Sequence, residues 1–147
     1  MALIEHKKAR MDYGILNEFE AGLELLGHEV KSLRSKLGKL EGSHVVIRGG
    51  EAYLVGAHIP PYQPKNTELG YDPARTRRLL LTKKELAELV GVEGQKGLTI
   101  VPLRVYNKGR NLKLAIGVAR GRKQYDKREV LKKRDTEREM RRTLKRE

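Results

Sequence analysis

The strongest constraint on the fold is an alternation of apolar and polar residues with a period of two. Tyr13, Ile15, Phe19, Ala21, Leu23 and Leu25 all occupy odd positions, the pattern of a strand with one buried face. A helix through Leu16, Phe19, Leu23 and Leu26 is the competing reading. Leu112, Leu114, Ile116 and Val118 alternate in the same way, and Leu98 to Tyr106 predicts a partner strand, joined to the first by a five-residue turn from Asn107 to Asn111. A chain rich in period-two segments must pair them into a sheet and cover one face of it.

Between these segments, His44 to Arg48 and Ala52 to Val55 flank Gly49 and Gly50. Glycine supplies the positive φ that a tight hairpin needs. Leu79 to Leu81 predicts a short return to the sheet after a surface excursion from Pro60 to Arg78. Two helices are expected. One follows Gly27, with Val30, Leu33, Leu37 and Leu40 at three- and four-residue steps, an exposed basic face at Lys31 and Arg34, and Gly38 fraying its end. The other begins at Thr82, where Thr-Lys-Lys-Glu is a capping box, and closes at Gly91. The expected fold is mainly β: an antiparallel oligonucleotide-binding-like barrel of about six strands with two or three short helices.

The formal charge of +13 on 147 residues points to a polyanionic partner, either nucleic acid or an anionic membrane surface. Residues 120–147 carry 13 basic against 6 acidic residues, while the other 119 carry 19 against 13. The apolar residues of that last stretch form no continuous stripe, which predicts a body over residues 1–120 and a basic tail over 121–147, disordered when free and ordered on binding. There is no run of about 18 apolar residues and no apolar leader at the amino terminus, so a cytoplasmic location is expected. With no cysteine, thiolate catalysis, disulfides and Cys-ligated zinc are excluded. A monomer is the default expectation.

No seat for catalysis is visible. His6, His28, His44 and His58 are scattered without ligand spacing, and phosphate-binding loops and nucleophile elbows are missing. Glu18, Glu20, Glu24 and Asp72 are the acids a magnesium-dependent nuclease would need. A solvent- or partner-facing strand surface explains the glutamates more simply, so neither an enzyme, a metal nor a cofactor is expected. RNA binding has better candidates: Lys7, Lys8 and Arg10, the run Arg75, Arg77 and Arg78, and the tyrosines Tyr13, Tyr62, Tyr71, Tyr106 and Tyr125, several of which lie next to basic residues, with core packing the simpler reading of Tyr13. Tyrosine with lysine or arginine can hold unpaired bases and phosphates together. Arg122 to Arg128 is the densest basic segment and could track a phosphate backbone.

Taken in order, Lys7-Lys8-Ala9-Arg10 with Tyr13, Phe19 to Leu23, Gly27 with Glu29 to Arg34, Asp72-Pro73 with Arg75 to Arg77, Leu79 to Leu81, and Gly117 to Ala119 leading to Asp126-Lys127-Arg128 resemble the signature of the SmpB family. The resemblance implies an RNA-binding adaptor without catalysis. Its partners would be the tRNA-like domain of transfer-messenger RNA, the ribosome (decoding centre, mRNA channel and 16S rRNA) and EF-Tu with GTP. It assigns RNA contacts to Glu20, Leu80 and Lys113, supported by Lys7, Lys8 and Arg10, and the basic side chains Lys31, Arg34, Arg75 and Arg77 join that candidate set. In the tail, Lys123, Tyr125, Asp126, Lys127 and Arg128, with Lys132, Lys133 and Arg134 beyond them, match the segment expected to act inside the ribosome as a helix in an empty mRNA channel. His6 stands where many members have asparagine, so no RNA contact is carried to it, and Tyr125 stands where histidine is also common. A general ribosome-associated RNA-binding protein and a nuclease remain the alternatives.

Overall fold

The computed structural model of the chain describes residues 2–63 and 70–121. The order is β1 (Ala2–Glu5), α1 (Ala9–Asp12), β2 (Tyr13–Leu23), α2 (Gly27–Arg34), β3 (His44–Arg48), β4 (Glu51–Val55), β5 (Arg77–Leu80), α3 (Lys83–Glu93), β6 (Leu98–Lys108) and β7 (Asn111–Gly121). All pairings are antiparallel, in one seven-stranded sheet ordered β1-β6-β7-β2-β5-β4-β3. The sheet curls so that β3 approaches β6, and α3 packs against both strands at this seam. No ladder joins β3 to β6 among the described residues, so this is an oligonucleotide-binding-like barrel left open at one seam and covered there by a helix.

Inside the curl lie Ala21, Leu54, Leu79, Leu114 and Ile116, together with Leu33 of α2 and Leu89 of α3. A smaller cluster, Ala9, Val101, Leu103, Ala115 and Ala119, fills the opposite face of β6 and β7 beneath α1, with Tyr13 and Ile15 against it. The expected strand from residue 13 is therefore present, but its odd positions do not share one face. The register steps from Ile15↔Ala119 to Asn17↔Val118, leaving Leu16 as the extra residue of a bulge, 60% exposed. The phase flips there. Tyr13 and Ile15 face the outer cluster, whereas Phe19, Ala21 and Leu23 face the main core.

A second bulge in β6, between Pro102↔Ile116 and Arg104↔Ala115, does the same. Proline has no N–H to give a ladder and is tolerated beside such a break. Its consequence is functional, because Arg104, Tyr106 and Lys108 emerge on the same outer face as Glu18 and Glu20.

Other expectations need adjustment. β1 and the one-turn α1 were not foreseen. The β6–β7 turn is two residues, Gly109 and Arg110, with Lys108 paired to Asn111 and Gly109 at φ 61°. Helix α2 stops at Arg34, and Lys36 and Gly38 take positive φ, so Leu37 is exposed and Leu40 reaches the core from a loop. Thr82 caps α3 as expected, accepting from the Glu85 amide at 3.2 Å, but the helix runs past Gly91 to Glu93.

Candidate nucleic-acid interface

The outer face of β2, β5 and β7 meets α2 and the β6–β7 hairpin in a groove of about 350 Å³. Leu80, 49% exposed, forms part of its floor with Gly22, Leu25 and Val30. Leu80 lies outward because β5 alternates: Arg77 and Leu79 are buried, Arg78 and Leu80 exposed. Gly22 pairs with Leu80 on one side and Lys113 on the other, and a Cβ at Gly22 would come within 3.2 Å of the Leu80 Cβ. The missing side chain keeps that floor open.

The rim is cationic. Arg34, Arg110 and Lys113 line it, and Arg34 Nη2 donates to the Arg110 carbonyl at 2.8 Å, tying α2 to the hairpin. Two residues along β7 from Lys113, Glu20 and Arg104 flank Ala115. Over this small residue the Glu20 carboxylate receives hydrogen bonds from Tyr106 Oη at 2.5 Å and Lys108 Nζ at 2.9 Å. The Tyr106 bond, then that from Lys108, holds the Glu20 carboxyl below the usual carboxylate range. Burial and the neighbouring carboxylate push Tyr106 up to about 12. At neutral pH Glu20 is an ionised acceptor and Tyr106 a protonated donor.

Of the residues singled out in the sequence, Arg34, Leu80 and Lys113 thus share one groove, with Glu20 beside it. Lys31 is exposed on α2 but does not line the groove. Lys7 and Lys8 are exposed before α1, in which Arg10 lies, and Lys7 borders a separate groove with Lys36 and Lys39. His6 Nδ1 donates to the Pro102 carbonyl at 2.9 Å, a structural role. Lys123, Tyr125, Asp126, Lys127, Arg128, Lys132, Lys133 and Arg134 lie outside the described residues.

Arg77 requires a correction, since it is not a free cation for RNA, whereas Arg75 is paired to the same carboxylate but keeps 30% of its side chain exposed. Arg77 is fully buried, and Glu29 Oε2 accepts from its Nη2 at 2.6 Å and its Nε at 2.9 Å, while the carbonyls of Ala57, Arg75 and Pro73 take its remaining donors. Arg75 Nη2 bonds Glu29 Oε1, and Tyr71 Oη donates to Glu29 Oε2 at 2.9 Å. Burial opposes ionisation of Glu29, but Arg75, the Leu26 amide and Arg77 outweigh it and hold the carboxyl at about 2. The cluster pins the strand entry at Arg77 to α2.

The acids considered for a metal are dispersed. Glu18 sits 3.6 Å from Arg104, Glu24 3.8 Å from Arg78, and Asp72 accepts from the Ala74 amide. Among the described residues, no three His, Asp or Glu side chains come together to hold an ion. No helix among them is long and apolar enough to cross a membrane.

Tyr106, Lys108, Arg110 and Asn111 were missed as a group. Tyr106 stood out in the sequence as a tyrosine beside cations, but its meeting with Glu20 depends on the β6 bulge and on β7 lying between the two strands, and no sequence spacing encodes either.

Comparison with known proteins bears on the family and the fold. The SmpB protein family profile matches residues 3–146. An SsrA-binding protein of Microcystis aeruginosa is 48% identical over 144 residues, covering 98% of this chain and 94% of its relative. Another, from Lactobacillus delbrueckii subsp. bulgaricus, is 50% identical over 140 residues, covering 95% and 91%. A solved chain described under "tmRNA-SmpB: a journey to the center of the bacterial ribosome" superposes with a TM-score of 0.69 at 46% identity, covering 82% of this chain and 85% of that one. The chain belongs to the SmpB family, which comprises RNA-binding proteins and not enzymes.

Proposed function

We propose that this chain binds the tRNA-like domain of transfer-messenger RNA and accompanies it into the vacant A site of stalled ribosomes. The observation that carries the reading is the groove itself. An exposed leucine over a glycine floor, a rim of Arg34, Arg110 and Lys113, and an adjacent anchored carboxylate at Glu20 supply what an unpaired nucleotide needs. The apolar floor receives a base face and the cations receive phosphate. The carboxylate accepts from a base amine or a ribose 2′-hydroxyl, giving specificity where the cations give affinity. The names of the relatives and the solved complex support the same partner class.

Under this reading residues 1–120 bind the RNA and residues 121–147, bearing Lys123, Tyr125, Asp126, Lys127 and Arg128, engage the decoding centre and the downstream mRNA channel. EF-Tu with GTP would carry the charged complex, and the protein acts as a monomer in the cytoplasm.

Quantifying the protein on ribosomes stalled without a downstream codon, against actively translating ribosomes, tests the proposal. Enrichment on the stalled set is expected, and its loss when transfer-messenger RNA is absent. Equal stoichiometry on both would instead mark a general ribosome-associated RNA-binding protein.

A further inference from the structure

Glu20 is the one acidic residue among those the resemblance assigns to RNA, and its two oxygens are not left to water. Tyr106 occupies Oε2 and Lys108 occupies Oε1. A carboxylate offers about four lone-pair positions, so each oxygen retains capacity for a further donor. Tyr106 is held in its turn. The Arg104 guanidinium lies 5.8 Å from its ring centroid, and Arg104 reaches Glu18 at 3.6 Å. Tyr106 and Lys108 from β6 bond Glu20, Arg104 from β6 and Glu18 from β2 pair beside them, and Lys113 from β7 adds a nearby positive charge.

We infer that Tyr106 and Lys108 are positioning residues for RNA recognition, which lock the exposed Glu20 carboxylate in one orientation so that its free lone pairs meet N–H or 2′-hydroxyl donors of an unpaired nucleotide. The inference rests on the reading of Glu20 as an RNA contact.

Two physical needs are met at once. An exposed glutamate samples several rotamers and must be frozen on binding, whereas a tethered one is already in place. A bare carboxylate beside phosphates would also be repelled, and Lys108 neutralises it on the protein side, leaving its acceptor strength intact. The tyrosine and glutamate protonation states described above keep the donor and acceptor roles fixed at neutral pH.

The test is a double-mutant cycle on the full chain, reading affinity for the tRNA-like domain of transfer-messenger RNA with Tyr106→Phe, Glu20→Ala and the pair together. Tyr106→Phe keeps the ring and its packing, and thermal unfolding checks that the fold is retained. It is expected to weaken binding about five- to tenfold, the worth of one solvent-exposed hydrogen bond. In the Glu20→Ala background the same change is expected to do nothing further. Lys108→Met should also weaken binding, and Lys108→Arg should restore it. Because Tyr106 depresses the Glu20 pKa, binding by Tyr106→Phe is expected to fail at higher pH on the acid side than binding by the unaltered chain.

If Tyr106→Phe weakens binding equally with and without the Glu20 carboxylate, the tyrosine acts independently and the inference is overturned. If Glu20→Ala weakens binding and Tyr106→Phe does not, the positioning role falls while the groove survives. If Glu20→Ala has no effect, both fall.

Discussion

Glu29 stays ionised with none of its side chain exposed because two guanidiniums, an amide and a phenol converge on it. Its carboxyl titrates at about 2 instead of the usual 4.5. A depressed folded pKa contributes stability that is fully present above the unfolded value and is lost as pH falls through the folded one. The chain should therefore lose this contribution between about pH 4.5 and pH 2. Glu29→Gln leaves Arg77 buried without its counter-charge and should cost about 3 to 5 kcal/mol at pH 7. It should also flatten the acid limb, as urea unfolding at pH 7 and pH 3 would show. In the sequence Arg75 and Arg77 looked like a basic run offered to RNA. Charge alone does not tell an exposed cation from a paired interior one, and the partner, Glu29, lies 48 residues away from Arg77.

At the scale of elements, the groove depends on β2 and β5 approaching without a side chain at Gly22. Gly22→Ala should push Leu80 from its place and weaken RNA binding several-fold, while thermal stability, followed by circular dichroism, changes by about 1 kcal/mol. Helix α3 gives the complementary control. Thr82→Ala removes its cap and should cost about 1 kcal/mol, but α3 covers the β3–β6 seam and contributes nothing to the groove, so RNA affinity should stay unchanged. Most elements could be read from the sequence because periodicity, the Gly49-Gly50 turn and the Thr82 capping box are local signals. The two bulges were not, since a one-residue phase slip needs the partner strand to be seen. That slip put Tyr13 on the second cluster and placed Tyr106 and Lys108 beside Glu20. Leu80 likewise resembles a core residue until the β5 register places it outward.

For the whole molecule, the charge of +13 predicts affinity that falls steeply with salt for any RNA, because each neutralised phosphate releases counterions. The groove predicts something narrower: discrimination that persists when salt is raised, carried by Glu20 and Leu80 and not by net charge. The charge imbalance between body and tail was plain in the sequence. Which face of the body meets RNA was not, since it arises only when β2, β5, β7 and α2 are assembled. The most direct test is competition between the tRNA-like domain of transfer-messenger RNA and an ordinary transfer RNA at near-physiological salt. It compares the full chain, a chain ending at Gly121, and Glu20→Ala. The shortened chain should still discriminate, and Glu20→Ala should lose most of its preference. Discrimination abolished by removing the tail, and untouched in Glu20→Ala, would contradict this reading of the groove.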